Sequence, residues 1–66
     1  MKFYLRLINK KNNIVRYVGW YGSLCLDYDV SFKSSDLRKL APYIVKYRKE
    51  WNIQVLDEDG VLVQKY

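Results

Sequence analysis

One stretch of this chain carries a helical hydrophobic period, and a proline stands in its middle: S-S-D-L-R-K-L-A-P-Y-I-V-K-Y-R-K-E-W, from Ser34 to Trp51. Leu37, Leu40, Ala41, Ile44, Tyr47 and Trp51 recur at intervals of three and four, which stacks side chains along one helical face. That face is the expected core stripe. Lys39, Lys46 and Lys49 fall opposite it, Arg38 flanks it on one side, and Tyr43 lies beside Tyr47 on the other, so the solvent face is expected to be basic. Ser34 or Ser35 is placed to cap the start, and Asp36 complements the positive end of the helix dipole. Pro42 lacks the amide that would bond the carbonyl of Arg38. The expectation is therefore a kink at Pro42, or a short turn over 35–41 followed by a helix that starts afresh there.

The rest of the chain reads as strands. In K-F-Y-L-R-L-I (2–8), Phe3, Leu5 and Leu7 share one side, with Tyr4 and Arg6 on the other. N-K-K-N-N (9–13) suits a hairpin loop, and I-V-R-Y-V-G-W-Y (14–21) should return beside the first strand. The facing of this second strand stays open, because Arg16 sets Ile14, Val18 and Trp20 outward whereas Val18 and Trp20 have core character; Gly19 marks a bulge that would switch sides. L-C-L-D-Y-D-V-S-F (24–32) alternates completely, with Leu24, Leu26, Tyr28, Val30 and Phe32 on one face, so it is expected as a half-buried strand. After the helix come a strand over 52–56 with Ile53 and Val55 inward, a turn at D-E-D-G (57–60), and a final strand in V-L-V-Q-K-Y. The fold class is α+β, in the order β-β-β-α-β-β: an antiparallel sheet of four or five strands in one domain over 1–66. The helix packs on one face and the other face is largely solvated.

Chemistry is limited by missing ingredients. The chain has no histidine and a single cysteine, Cys25, so the usual general base near neutral pH and a thiolate metal cluster are both lacking. Glycines at 19, 22 and 60 form no phosphate loop. Asp27 and Asp29 are expected to pair across strands with Arg6 and Arg16 rather than to hold a cation. Asp57, Glu58 and Asp59 read as a solvated turn. The sequence thus points to a non-enzymatic protein with no cofactor and no metal. With a lone cysteine, and an amino-terminal run interrupted by Arg6, a cytoplasmic setting without signal peptide or membrane span is expected.

A net charge of +5 favours acidic partners. Two surfaces compete. One is the helix face with Arg38, Lys39, Lys46 and Lys49, suited to phosphates, which Lys10 and Lys11 would extend if they lie near it. The other is aromatic: Tyr4, Trp20, Tyr21, Tyr43 and Tyr66 exceed what a small sheet with one helix readily covers, and such rings dominate interface hot spots. The leading expectation is docking on a protein, with direct nucleic-acid binding through the basic helix face as the alternative and a homodimer as a further way to cover the rings.

The segments F-K-S-S-D-L-R-K-L-A-P-Y-I and I-Q-V-L-D-E-D-G resemble small uncharacterised proteins encoded in phages and prophages of Gram-positive bacteria. The shared features are a strand ending in Phe32-Lys33, a Ser-capped amphipathic helix and a strand with its turn. The resemblance implies a phage accessory protein, a group that includes anti-CRISPR and other inhibitors of host defence. Its implied partner is a host protein or a protein–nucleic acid complex. Such inhibitors are commonly acidic DNA mimics, and the positive charge of this chain departs from that pattern.

Overall fold

In the computed structural model, which describes residues 1–66, β1 (Phe3–Asn9) forms the middle of a five-stranded antiparallel sheet. β2 (Val15–Val18) and then β3 (Leu24–Cys25) lie on one side of it, and β4 (Trp51–Asp57) and then β5 (Leu62–Lys65) on the other. The helix α1 (Ala41–Tyr47) packs over one face. The expected order of elements and the five-strand version of the sheet both hold.

Alternation in β1 and β4 decides the layers. Leu5 and Leu7 pair with Val55 and Ile53, and these four side chains meet Val18, Leu40 and Ile44 in one buried cluster beneath the helix. Burying each of these side chains contributes about 1.5–3 kcal/mol. The loop after β1 closes on asparagine chemistry: the Asn9 side chain accepts from the amides of Lys11 and Asn12, and Asn13 takes a left-handed conformation (φ 61°). The turn after β4 is likewise built by one side chain. Asp57 Oδ1 accepts from the amides of Asp59 and Val61, and Gly60 supplies the positive φ of 77°. Across the last ladder, Val55 pairs with Gln64 and Leu56 with Leu62, which leaves Val63 as an extra residue in β5. Such a bulge on an edge strand discourages further strand pairing.

The proline decides how the helix begins. A 3-10 turn covers Leu37–Lys39, Leu40 ends it, and α1 starts at Ala41 with Pro42 in its first turn, where a missing amide is harmless. The cap differs from the expected serine. Asp36 Oδ1 accepts from the Arg38 amide, while the Ser34 hydroxyl accepts from the Asp36 amide one step earlier. The helical segment is also shorter than its apolar period. It ends at Tyr47, and Trp51 opens β4 opposite Asn9, because strand pairing with β1 offers that backbone more hydrogen bonds than another helical turn would.

The largest departure is at 24–32. Only Leu24 and Cys25 pair with β2, and the chain then leaves the sheet through a 3-10 turn at Tyr28–Val30. Leu24, Leu26, Tyr28 and Val30 are exposed, contrary to the alternation. The return segment is what matters. Phe32 N–H donates to Val18 O, Ser34 exchanges two bonds with Phe3, and Ser31 bridges Gly19, so residues 31–34 fill the gap between the diverging ends of β1 and β2. β2 stops at Val18 because its neighbour there is this segment, not because of a bulge at Gly19, which is extended. Arg16 lies on the helix side of the sheet, opposite Leu7, and Tyr17 lies on the outer side opposite Arg6.

The outer face is consequently less solvated than expected. Tyr28 folds back over it, with its ring 6.0 Å from Tyr4 and 6.4 Å from Tyr17, and Lys33 Nζ sits 5.8 Å from the Tyr4 ring. Tyr4 is buried, and that burial, helped by the neighbouring Tyr17, raises its hydroxyl pKa. Asp27 and Asp29 pair with neither Arg6 nor Arg16. Arg6 Nε donates to Gln54 instead, Arg16 to its neighbour's carbonyl, and the only ion pair joins Arg38 to Asp36.

Candidate functional site: a basic pole beside an aromatic turn

The register of β1 on β4 gives the sheet two poles. Asn9 faces Trp51 at one end and Phe3 faces Asp57 at the other. The first pole gathers the hairpin loop with Lys10 and Lys11 and the segment Arg48–Glu50 that leaves the helix, joined by a hydrogen bond from Lys10 N–H to Glu50 O at 3.1 Å. The opposite pole carries Asp57, Glu58 and Asp59, where Glu58 accepts from the Lys2 amide. The hairpin pole thus carries an excess of cations, and the opposite pole, where Lys2 stands beside three carboxylates, an excess of negative charge. A depression of about 300 Å³ at the basic pole is lined by Asn9, Lys10, Lys11, Lys49 and Glu50 and by no apolar side chain.

A second depression, of about 370 Å³, shares Lys49 and Glu50 with the first and extends it over Lys46, Tyr47, Trp51 and Leu24. Lys46 Nζ stands 5.2 Å from the Tyr47 ring centroid. None of Lys10, Lys11, Lys46, Arg48 and Lys49 is engaged in an ion pair. Their like charges, with Glu50 the one carboxylate among them, create a positive field at this end of the molecule.

Leu24 leads from this second depression into the turn Trp20–Gly22, which α1 holds from below. The Tyr47 hydroxyl donates to Gly22 O, and the Tyr43 ring lies so close beneath Gly22 that a Cβ there would approach Tyr43 Cε1 to 2.8 Å. Phe32 supports the turn from the side, edge-on to Trp20 at 4.9 Å and to Tyr43 at 5.8 Å. Trp20 nevertheless keeps 57% of its surface exposed, and Tyr21 keeps 96%. Tyr21 also adopts φ 64°, ψ 16°, a left-handed conformation that costs a residue with a Cβ about 1–2 kcal/mol.

Of the surface residues named from sequence, the structure places Lys46 and Lys49 on the second depression, whose Tyr47 bonds the turn that carries Trp20 and Tyr21. Tyr43 is partly buried and supports the turn, and Tyr4 belongs to the covered outer face, so neither is a free contact ring. Arg38 and Lys39 lie in the 3-10 turn that precedes α1, whereas Lys46 lies in the last turn of α1, so the two groups stand at opposite ends of this segment. At the 3-10 turn the Arg38 guanidinium holds the Asp36 carboxyl below the usual carboxylate range, and Arg38's own charge is matched. Trp51 joins the site only through its strand position, which its place in the helical period concealed. Tyr66 stands at the β5 edge beside an apolar groove with Leu37, Ala41 and Val63.

No group of histidine, cysteine, aspartate and glutamate side chains gathers as a metal site would require, and no helix is long and apolar enough to cross a membrane. The chain matches no family model, no curated protein and no solved structure.

Proposed function

We propose that this chain is a non-enzymatic binding protein whose partner is a nucleic acid, held by its phosphates at the basic pole. One observation carries the reading: Lys10, Lys11, Lys46 and Lys49 converge from two elements distant in sequence onto adjoining depressions, with no ion pair among them. Mobile lysines around an open polar depression suit phosphates, which present charge on all sides and need no fixed fork geometry. The reading fits a cytoplasmic accessory factor of phage or bacterial origin acting on a nucleic-acid-processing system.

The test is anisotropy of a labelled oligonucleotide titrated with the protein across a salt series. Log affinity should fall linearly with log salt, and replacing Lys10, Lys11 and Lys49 together by Gln should flatten that slope by about 2 for single strands. Replacing Arg38 and Lys39 by Gln should leave it unchanged. A salt slope equally reduced by both sets would remove the basic pole as the site.

Docking on a protein is the second reading, supported by the apolar groove between α1 and β5, where Leu37, Val63 and Tyr66 stay exposed. Substituting Val63 by Lys should then abolish co-purification of a partner without changing oligonucleotide affinity.

A further inference from the structure

We infer that the basic pole takes single-stranded nucleic acid, with Trp20 and Tyr21 as a stacking platform for its bases; this rests on the phosphate-binding reading above. Three observations converge on it. The first is adjacency: the second depression runs from Lys49 and Lys46 past Tyr47 to Leu24, and the Tyr47 hydroxyl that lines it bonds the Gly22 carbonyl of the turn, so the turn borders the depression. A backbone tracked by cations with exposed rings alongside is the arrangement by which proteins hold single strands without reading sequence.

The second is rigidity. Trp20 is held edge-on by Phe32, and the turn is anchored to α1 through the Tyr47 hydroxyl and the close seat of Gly22 on Tyr43. The backbone closes on itself as well, with Gly19 N–H donating to Ser23 O and Gly22 N–H to Gly19 O. A platform fixed in this way loses little freedom when a base stacks on it.

The third is the conformation of Tyr21. A tyrosine in the left-handed region is strained, and here no ring, hydrogen bond or core contact offsets the strain, since the side chain is 96% exposed. Folding gains nothing from a ring at that position, and glycine would serve the turn better. An exposed planar side chain kept where the fold disfavours it is a contact residue. Duplex DNA offers such a ring nothing to stack on, because its bases already stack on one another; a single strand offers every base.

The experiment compares four fluorescein-labelled probes of equal length: oligothymidine, oligoadenosine, a duplex, and an abasic deoxyribose-phosphate strand. Wild-type protein should bind the two single strands at least about tenfold more tightly than the abasic strand, and tryptophan fluorescence should be quenched by oligothymidine and oligoadenosine but not by the duplex or the abasic strand. Tyr21→Gly removes the ring while glycine takes the left-handed backbone without strain, and its circular dichroism spectrum should match wild type, which separates lost stacking from unfolding. It should weaken oligothymidine about tenfold, leave the abasic strand unchanged, and keep the salt slope of wild type.

Equal affinity for abasic and base-bearing strands, or unchanged binding in Tyr21→Gly, would overturn the stacking platform while the phosphate site stood. Tighter binding of duplex than of single strand would also overturn it. No binding of any probe at low salt would overturn both readings and leave the basic pole to an acidic protein surface.

Discussion

The seat of Gly22 on Tyr43 can be tested by adding one methyl group. In Gly22→Ala the residue keeps φ near +81°, which costs an alanine about 1–2 kcal/mol relative to glycine. Its Cβ would also lie 2.8 Å from Tyr43 Cε1 and 3.1 Å from Cδ1, where carbon atoms in contact prefer about 3.5–4.0 Å. The ring cannot simply retreat, because Phe32 stands against it and the next turn of α1 carries Tyr47, whose hydroxyl bonds the Gly22 carbonyl. Overpacking of this kind costs about 1–3 kcal/mol. The sum is about 3 kcal/mol, which in a domain of this size lowers the melting temperature by about 12–24 °C.

Gly60→Ala supplies the control. It shares the positive φ, at 77°, but its Cβ would meet no atom within 4 Å, so it should show the conformational cost alone. Urea unfolding of both variants, followed by circular dichroism, separates the two contributions. Adding Tyr43→Ala to Gly22→Ala should recover the crowding portion as a coupling of about 1–3 kcal/mol. If Gly22→Ala and Gly60→Ala fall within about 0.5 kcal/mol of each other, a difference within the usual scatter of additive sites, the turn does not rest on α1 as described.

Other features make separate commitments. Removing the carboxylate in Asp57→Ala deletes two bonds to the amides of Asp59 and Val61 and should cost about 2 kcal/mol, with amide exchange accelerated first in Leu62–Lys65 while the β1 amides stay protected. The Asp36 carboxyl is held below its ordinary range by the Arg38 side chain and then by the Arg38 amide, so the unfolded chain binds its proton at a higher pH than the folded one. Its stabilisation is complete above the ordinary carboxylate range and disappears as pH falls through the depressed value; the acid limb of melting temperature against pH should be shallower in Asp36→Asn than in wild type. Tyr4 should titrate above the ordinary tyrosine range in an ultraviolet pH titration, and Tyr28→Ala, which uncovers it, should lower it towards that range. An unchanged high-pH step for Tyr4 in that variant would contradict the covered outer face.

The sheet was legible where local pattern and long-range pairing agree. Leu5 and Leu7 alternate with Tyr4 and Arg6, Ile53 and Val55 answer them, and the Asn-rich loop and D-E-D-G turn punctuate the chain where strands must reverse. Pro42 likewise marked the place where a helix either kinks or begins anew, and the structure takes the second course, since a missing amide has one comfortable place in a helix. The strongest alternation in the chain was misleading. Residues 24–32 carry a strand's pattern, yet Tyr28 docks on Tyr4 and Tyr17 while Phe32 docks on Trp20 and Tyr43, on opposite faces of the sheet. Period-two spacing describes which residues share a side only while the chain stays in one ladder, and here the competing partner was another part of the chain.

The candidate site divides in the same way. Composition and spacing alone determined that the chain is basic, rich in aromatic side chains and without histidine, and that the segment after Asp36 presents cations. Which cations act together was a tertiary matter. Lys10 and Lys49 are far apart in sequence and adjoin because β1 pairs with β4 with Asn9 opposite Trp51, whereas Lys39, close to Lys46 in sequence, lies in the 3-10 turn before α1 and Lys46 in the last turn of α1. The same holds for the rings. Tyr4 and Tyr21 look alike in the sequence, but one is covered by a returning loop and the other is held out on a strained turn, because burial is set by what packs against a residue and local sequence does not carry that information.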